Sequence, residues 1–395
     1  VNRPAEPAPQ GLLADPNLQI VFGITAIAVL GTFTVAPALP RIVQELPVSK
    51  ADIGWVITVF TLPGIFLMPA IGVLADRFGR RPVVGACLAL YAASGLACYW
   101  AADFETLLAL RFLQGVGAAP LTSLNIAFIS DLYTGRRRTT AMGYNQSVLS
   151  LGAAGFTALG GLIAGASWRY PFMLPLVGLP VAWLVVRRLE VPAEAAAAPR
   201  RAATGDGALR GLFRRPILLN YALTVLGLMV VWGAYFTYFP ILMGIKLGQP
   251  PARIGLVMTA MTLFSALSSA AAGRLSGVLS GRRRLQIAFG LYAAALAAVP
   301  WIADYRMLAC PAAAIGLAQG LFIPAVQTFL GRHSTAANRG RVMAFYGSAI
   351  RAGQTLGPLA AGLVFPRVGV EGVFHAGAAA ALALMALVTL TFDRE

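Results

Sequence analysis

Runs of about twenty mostly apolar residues, separated by short polar or basic loops, recur along almost the whole of this 395-residue chain. A helix that crosses the hydrocarbon of a bilayer needs about 20 such residues at about 1.5 Å each, and no backbone polar group is left unbonded in lipid. The pattern predicts helices over 17–39, 51–73, 82–101, 105–130, 140–163 and 169–187, then 216–243, 253–280, 285–303, 306–330, 341–364 and 370–391. The expected fold is therefore an all-α membrane protein of twelve transmembrane helices. Composition agrees, because only 12% of the residues are charged, about half the share of a soluble domain.

One long loop divides the pattern. Residues 188–215, rich in Ala, Arg, Pro and Gly, read as a linker between a six-helix bundle over 17–187 and a second over 216–391, with tails at 1–16 and 392–395. The first ten residues lack the basic stretch and cleavage site of a secretory signal, so the first apolar run is expected to stay in place as helix 1. With the N-terminus inside, 22 of the 31 Lys and Arg residues fall on the cytoplasmic side, 7 outside and 2 within the membrane. Cytoplasmic loops retain basic residues, so both termini and the linker are expected in the cytoplasm of a bacterial-type inner membrane.

The net charge of +16 is thus a topology signal with some attraction to anionic lipid, not a nucleic-acid footprint, which needs clustered cations and stacking aromatics on a soluble domain. Cys87 and Cys98 lie eleven residues apart on one predicted helix and cannot bond to each other without unfolding it. With Cys310 they read as packing residues. Neither His333 nor His375 has a ligand cluster around it, so no metal, cofactor or enzymatic centre is expected. A receptor would bring a soluble sensory or output domain, and no stretch outside the spans is long enough for one.

The two halves echo each other about 200 residues apart. Gln114-Gly115 corresponds to Gln319-Gly320, Arg138 to Arg341, and Gly72-Val73-Leu74-Ala75 more weakly to Gly273-Arg274-Leu275-Ser276. Internal duplication is characteristic of secondary transporters, whose substrate site lies between the repeats near the bilayer midplane.

The loop Gly72-Val73-Leu74-Ala75-Asp76-Arg77-Phe78-Gly79-Arg80-Arg81-Pro82 resembles the signature loop of the major facilitator superfamily. Glycines at 72 and 79 suit close helix approach and a tight turn, and Asp76 suits bonding to arginines or a helix N-terminus. The resemblance implies a conformational latch of Gly72, Asp76, Arg77, Gly79, Arg80 and Arg81 with Asp131 at the end of helix 4. In the second half Gly277 stands near the place of Asp76, so that copy is expected to be weaker.

Arg111-Phe112-Leu113-Gln114-Gly115-Val116-Gly117-Ala118-Ala119 is similar to the family's arginine motif on helix 4. A membrane-embedded arginine is expensive unless it reaches water or carbonyls. Arg111, Gln114, Ala118, Thr122 and Asn125 recur at helical spacing on one polar or small stripe facing the bundle interior. The resemblance implies a part for Arg111 in proton coupling; its bland alternative is a staple to a neighbour's carbonyls. Asp52, at the start of helix 2, is the second coupling candidate, or the cap of that helix.

Helix 5 carries a degenerate form of the exporters' glycine motif, with Gly152, Gly155, Gly160 and Gly161, and helix 11 carries Gly353, Gly357 and Pro358. Such glycines suit close packing of helices 5 and 8, or 11 and 2. Candidate cavity residues are Gln114, Asn125, Gln146, Ser150, Trp232, Tyr235, Phe236, Phe239, Arg351 and Thr355. The resemblance is strongest to the twelve-helix drug:proton antiporters. It implies a monomer that exports small amphipathic molecules in exchange for protons, with lipid as its surroundings. No Asp or Glu stands near the centre of helices 1, 2, 5, 7, 8 or 11, and that favours an alternative: a carrier or exchanger of anions bearing carboxylate, phosphate or catecholate groups, using Arg111 and Arg351.

Overall fold

The computed structural model describes residues 11–190, 214–275, 278–335 and 338–391, without the side chains of 68–73, 76 and 274. The expected terminal tails beyond these limits, most of the linker and Gly277 lie outside the described residues. Every regular element among the described residues is helical. In chain order they are α1 (Pro16–Glu45), α2 (Trp55–Thr61 continued by Pro63–Phe78), α3 (Arg80–Tyr99), α4 (Phe104–Leu132), α5 (Gly135–Ala164) and α6 (Tyr170–Arg188). After the linker come α7 (Arg215–Lys246), α8 (Pro251–Leu275), α9 (Gly281–Ala298), α10 (Ala309–His333) and α11 (Arg339–Thr391).

Nine helices among the described residues are long and apolar enough to cross a membrane, where the hydropathy pattern predicts twelve. The difference has local causes. α2 is interrupted at Leu62, ahead of Pro63, so neither piece reaches 18 residues. α9 carries Arg282, Arg283 and Arg284 within its 18 residues. The last two predicted spans run together into α11, whose 53 residues would reach about 80 Å if straight, far beyond a hydrocarbon core of about 30 Å. Gly369 breaks it into two arms at φ 66°, a backbone conformation that costs glycine little.

Helix ends alternate between two faces of the molecule. At the arginine-rich end Asp15 accepts from the Tyr133 hydroxyl at 2.7 Å, and Asn17 accepts from the backbone N–H of Glu190 at 2.9 Å. At the other end Arg41 donates to the Ala166 carbonyl and Arg169 to that of Ala101, both at 3.0 Å, while Lys246 pairs with Glu371.

The apolar core is divided unequally. One cluster lies wholly within the first six helices, toward the arginine-rich end, and includes Leu18, Leu88, Phe128 and Val185. The other joins the second set of helices to the arginine-poor ends of the first, through Val35, Leu39, Ile53 and Trp168 with Trp232, Phe239 and Met258. The two sets of helices therefore share a core at one end only.

Candidate functional site

Three places hold the residues singled out from the sequence. The first is the junction of α2 with the first arm of α11. Thr58 donates to the Thr355 carbonyl at 3.1 Å, and the hydroxyls of Thr355 and Thr61 lie 2.9 Å apart. Gly54 faces Pro358 so closely that an added Cβ would stand 2.9 Å from its carbonyl oxygen. One turn further along, the Arg351 stem lies against Gly64, where a Cβ would come within 3.0 Å of Arg351 Cδ. Arg351 Nη1 donates to Gln354 Oε1 at 3.1 Å. Residues 351, 355 and 358 are spaced i, i+4, i+7, so they form one stripe that meets α2.

Gly353 and Gly357 occupy a different stripe and meet α7 instead. A Cβ on Gly353 would stand 2.6 Å from the Val225 carbonyl, and one on Gly357 would stand 2.7 Å from that of Met229. The expected packing of these two glycines on helix 2 is corrected accordingly: of that motif only Pro358 meets α2. On α5, Gly160 abuts Thr34 of α1, and Gly161 abuts α8, with a would-be Cβ 2.8 Å from Gly255 Cα. Gly152 faces Val29 at ordinary contact distance, and Gly155 has nothing within 4 Å, so close packing requires neither to be glycine.

The second place is the interior of the first six helices, where Arg111 and Gln114 are fully buried. Arg111 Nε donates to the Val56 carbonyl at 3.2 Å; its Nη1 donates to that of Gly31 at 3.1 Å and to Gln114 Oε1 at 2.7 Å. Its guanidinium lies 4.1 Å from the centroid of the Phe60 ring. Carbonyl dipoles and an aromatic face thus offset its charge without a carboxylate. Asp52 does not meet it: Asp52 is exposed in the turn before α2, and its backbone N–H takes the Ser49 carbonyl. Nor is Asp52 the cap of α2, whose N-cap position is held by Gly54 without a side-chain capping bond. Further along α4, Asn125 is buried with Thr25 of α1 and Asn145 of α5. Its Nδ2 donates to the Thr25 hydroxyl and, at 3.2 Å, to Asn145 Oδ1. Asn145 is therefore a buried polar residue of α5. Gln146, the next residue, is exposed, and Ser150 is half-buried.

The third is the aromatic group on α7. Val231–Tyr238 is a π-helix, and Thr237 Oγ1 donates to the Trp232 carbonyl five residues back at 2.9 Å. The rings meet in i, i+4 pairs. Trp232 stacks on Phe236 at 4.5 Å, and Tyr235 meets Phe239 at a tilt, 4.8 Å between centroids. Phe33 of α1 closes edge-on against Phe236 at 5.5 Å, and the Tyr235 hydroxyl donates to the Met258 carbonyl of α8 at 3.4 Å. All four rings are buried. They join α7 to α1 and α8 in this conformation rather than lining an open wall.

At the arginine-rich end Arg80 pairs with Asp131. Arg81 Nη2 donates to the Val186 carbonyl at 3.0 Å, fixing the end of α6, while exposed Arg77 lies over Phe78. Gly79 turns the chain between α2 and α3 at φ 85°. The side chain of Asp76, and what surrounds Gly72, lie outside the described residues. Sequence reasoning missed Thr25, Asn145 and Asn220. Asn220, on α7, is fully buried with both side-chain polar atoms unpartnered. A polar side chain within an apolar span was the available signal for all three, but the facing direction was not.

Comparison with known proteins places this architecture. The family model described as Major Facilitator Superfamily matches residues 21–305 and 241–395. The Bacillibactin exporter of Bacillus subtilis (strain 168) is 24% identical over 354 residues, covering 87% of this chain and 88% of that protein. Multidrug resistance protein 1 of the same organism is 31% identical over 156 residues, covering 40% of each. Among solved structures, the nucleoside transporter NupG superposes with a TM-score of 0.80 at 12% identity, over 96% of this chain and 100% of that one.

Proposed function

Because this chain belongs to the Major Facilitator Superfamily, a family of multi-pass membrane transporters, we propose that it exports small amphipathic molecules by alternating access, in exchange for protons. The one-ended core carries the reading. Two six-helix bundles touch at the arginine-poor end through α2 with α11, α5 with α8 and α1 with α7. With the arginine-rich end in the cytoplasm, this is the inward-open arrangement. Rocking about the midplane would break these contacts, close the Arg80 and Asp131 end and release cargo outside. The names of the relatives, an exporter and a multidrug resistance protein, favour export.

Arg351 favours a second reading, that the cargo is anionic. It is half-buried where the two bundles meet and has no carboxylate partner among the described residues. A desolvated cation of this kind attracts anions and repels cations. Arg111 is less suited to the same task, being sealed by carbonyls and Phe60. The test is reconstitution into liposomes with an imposed pH gradient. Dyes, antibiotics and small carboxylates are added in turn while internal pH and substrate are followed. Proton movement on addition of substrate is expected, and Arg351→Ala is expected to abolish transport of anions alone. Substrate flux without proton movement would remove the exchange, and wild-type anion transport by Arg351→Ala would remove the second reading.

A further inference from the structure

At the arginine-rich end a groove of about 320 Å³ opens between the first two turns of α1 and the last two of α6. Its sides are Ile20 and Gly23 on one helix and Val181 and Leu184 on the other, with Trp183 and Arg188 at the rim. The floor is fixed. Gly23 allows the approach of Val181, whose methyls would stand 3.3 Å from an added Cβ, and Asn17 ties the end of α6 to α1 through the backbone of Glu190. Seven residues separate Pro16 from Gly23, a depth of about 10 Å along α1. That depth runs from the headgroup layer into the upper acyl region of one leaflet.

Three observations narrow the occupant. Arg81 already caps the carbonyls of Val185 and Val186, so Arg188 is not needed to end α6. Arg188 is exposed, and no side chain among the described residues bonds or pairs with it. Asp15, at the foot of α1, is committed to the Tyr133 hydroxyl and the Asn17 backbone. Apart from Gln19, whose amide donates to the Leu13 carbonyl, the groove is thus apolar within, carries one unpaired cation at its mouth, and has an exposed tryptophan at the depth where indoles favour the interface. A larger groove of about 520 Å³, between α7 and the two arms of α11, is lined by apolar residues alone and offers no such charge.

We propose that the groove between α1 and α6 is a binding site for an anionic diacyl phospholipid of the leaflet at the arginine-rich end, with its phosphate on Arg188 and the start of an acyl chain on Gly23, Val181 and Leu184. The proposal rests on the chain lying in a membrane and not on what it exports. One basic side chain near the membrane surface contributes about 1 kcal/mol toward an anionic lipid, which is about fivefold in affinity.

The full chain, purified in detergent, is titrated with dioleoyl phosphatidylglycerol and with dioleoyl phosphatidylcholine, and bound lipid is counted by native mass spectrometry. A tightly held phosphatidylglycerol is expected. Arg188→Ala should weaken it about fivefold, whereas Arg187→Ala, which removes the same charge from a neighbouring position outside the groove, should not. Leu184→Trp keeps the charge and fills the groove, and should also displace the lipid. Equal losses from Arg187→Ala and Arg188→Ala would reduce the effect to diffuse attraction and overturn the site. So would unaltered binding in Leu184→Trp, or no preference for phosphatidylglycerol over phosphatidylcholine. Because lipid is counted directly, none of these outcomes depends on transport.

Discussion

The closed end of the molecule should open when its threonine ladder is removed. Thr58 and Thr355 each contribute a hydrogen bond across the junction of α2 and α11, one to the Thr355 carbonyl and one between the Thr355 and Thr61 hydroxyls. Valine has nearly the same shape, so Thr58→Val with Thr355→Val deletes both bonds while leaving Gly54 against Pro358 and Arg351 against Gly64. Thr61 keeps the Ile57 carbonyl as a partner and is not orphaned. A buried hydrogen bond contributes about 1 kcal/mol net, so the pair contributes about 2 kcal/mol, about thirtyfold in the closed-to-open ratio. An end open in about 1% of molecules would then be open in about a quarter of them. Spin labels at Lys50 and Arg367, both exposed at this end, read the change as growth of a longer distance. Superimposable distance distributions in the double variant and the parent would show that the ladder does not hold the end shut.

Other consequences follow from single contacts. Gly161→Ala drives a Cβ into the backbone of α8 and should cost about 1–3 kcal/mol, whereas Gly155→Ala meets nothing within 4 Å and should be neutral or mildly stabilising; equal melting temperatures in detergent would contradict this. Arg111→Met should strand the Gln114 amide, so adding Gln114→Met should cost less than the two single changes summed, by about 1–2 kcal/mol. Strict additivity of unfolding free energies would show that the pair does not act as a unit. Asp103 caps α4, and the N–H and hydroxyl of Thr106 hold its carboxyl below the usual carboxylate range. A lowered pKa stabilises the fold above the unfolded value, about 3.9, and loses that effect as pH falls through the folded one. The deficit of Asp103→Ala, followed by thermal unfolding against pH, should therefore shrink in acid below the usual carboxylate range and stay constant at neutral pH.

Much of this architecture is legible in the residues because the forces that set it act locally. A helix in lipid satisfies its own backbone, so an apolar run of sufficient length declares itself without knowledge of its neighbours. Arginines in short loops mark one end for the same reason, and Gly79 and Arg80 beside Pro82 belong to a turn that needs no tertiary information to recognise. Tertiary structure decided which way each polar residue turned. Asn145 and Gln146 are equally polar neighbours, and only the packing of α1 and α4 against α5 buried the first and left the second exposed. Arg111 met carbonyls and Phe60, not Asp52. Gly353 and Gly357 met α7, and the aromatics of α7 were buried against α1 and α8. A side chain's facing depends on helix rotation and neighbours, and one residue turns that direction by about 100°. Length and hydropathy survive such a shift unchanged; a binding surface does not.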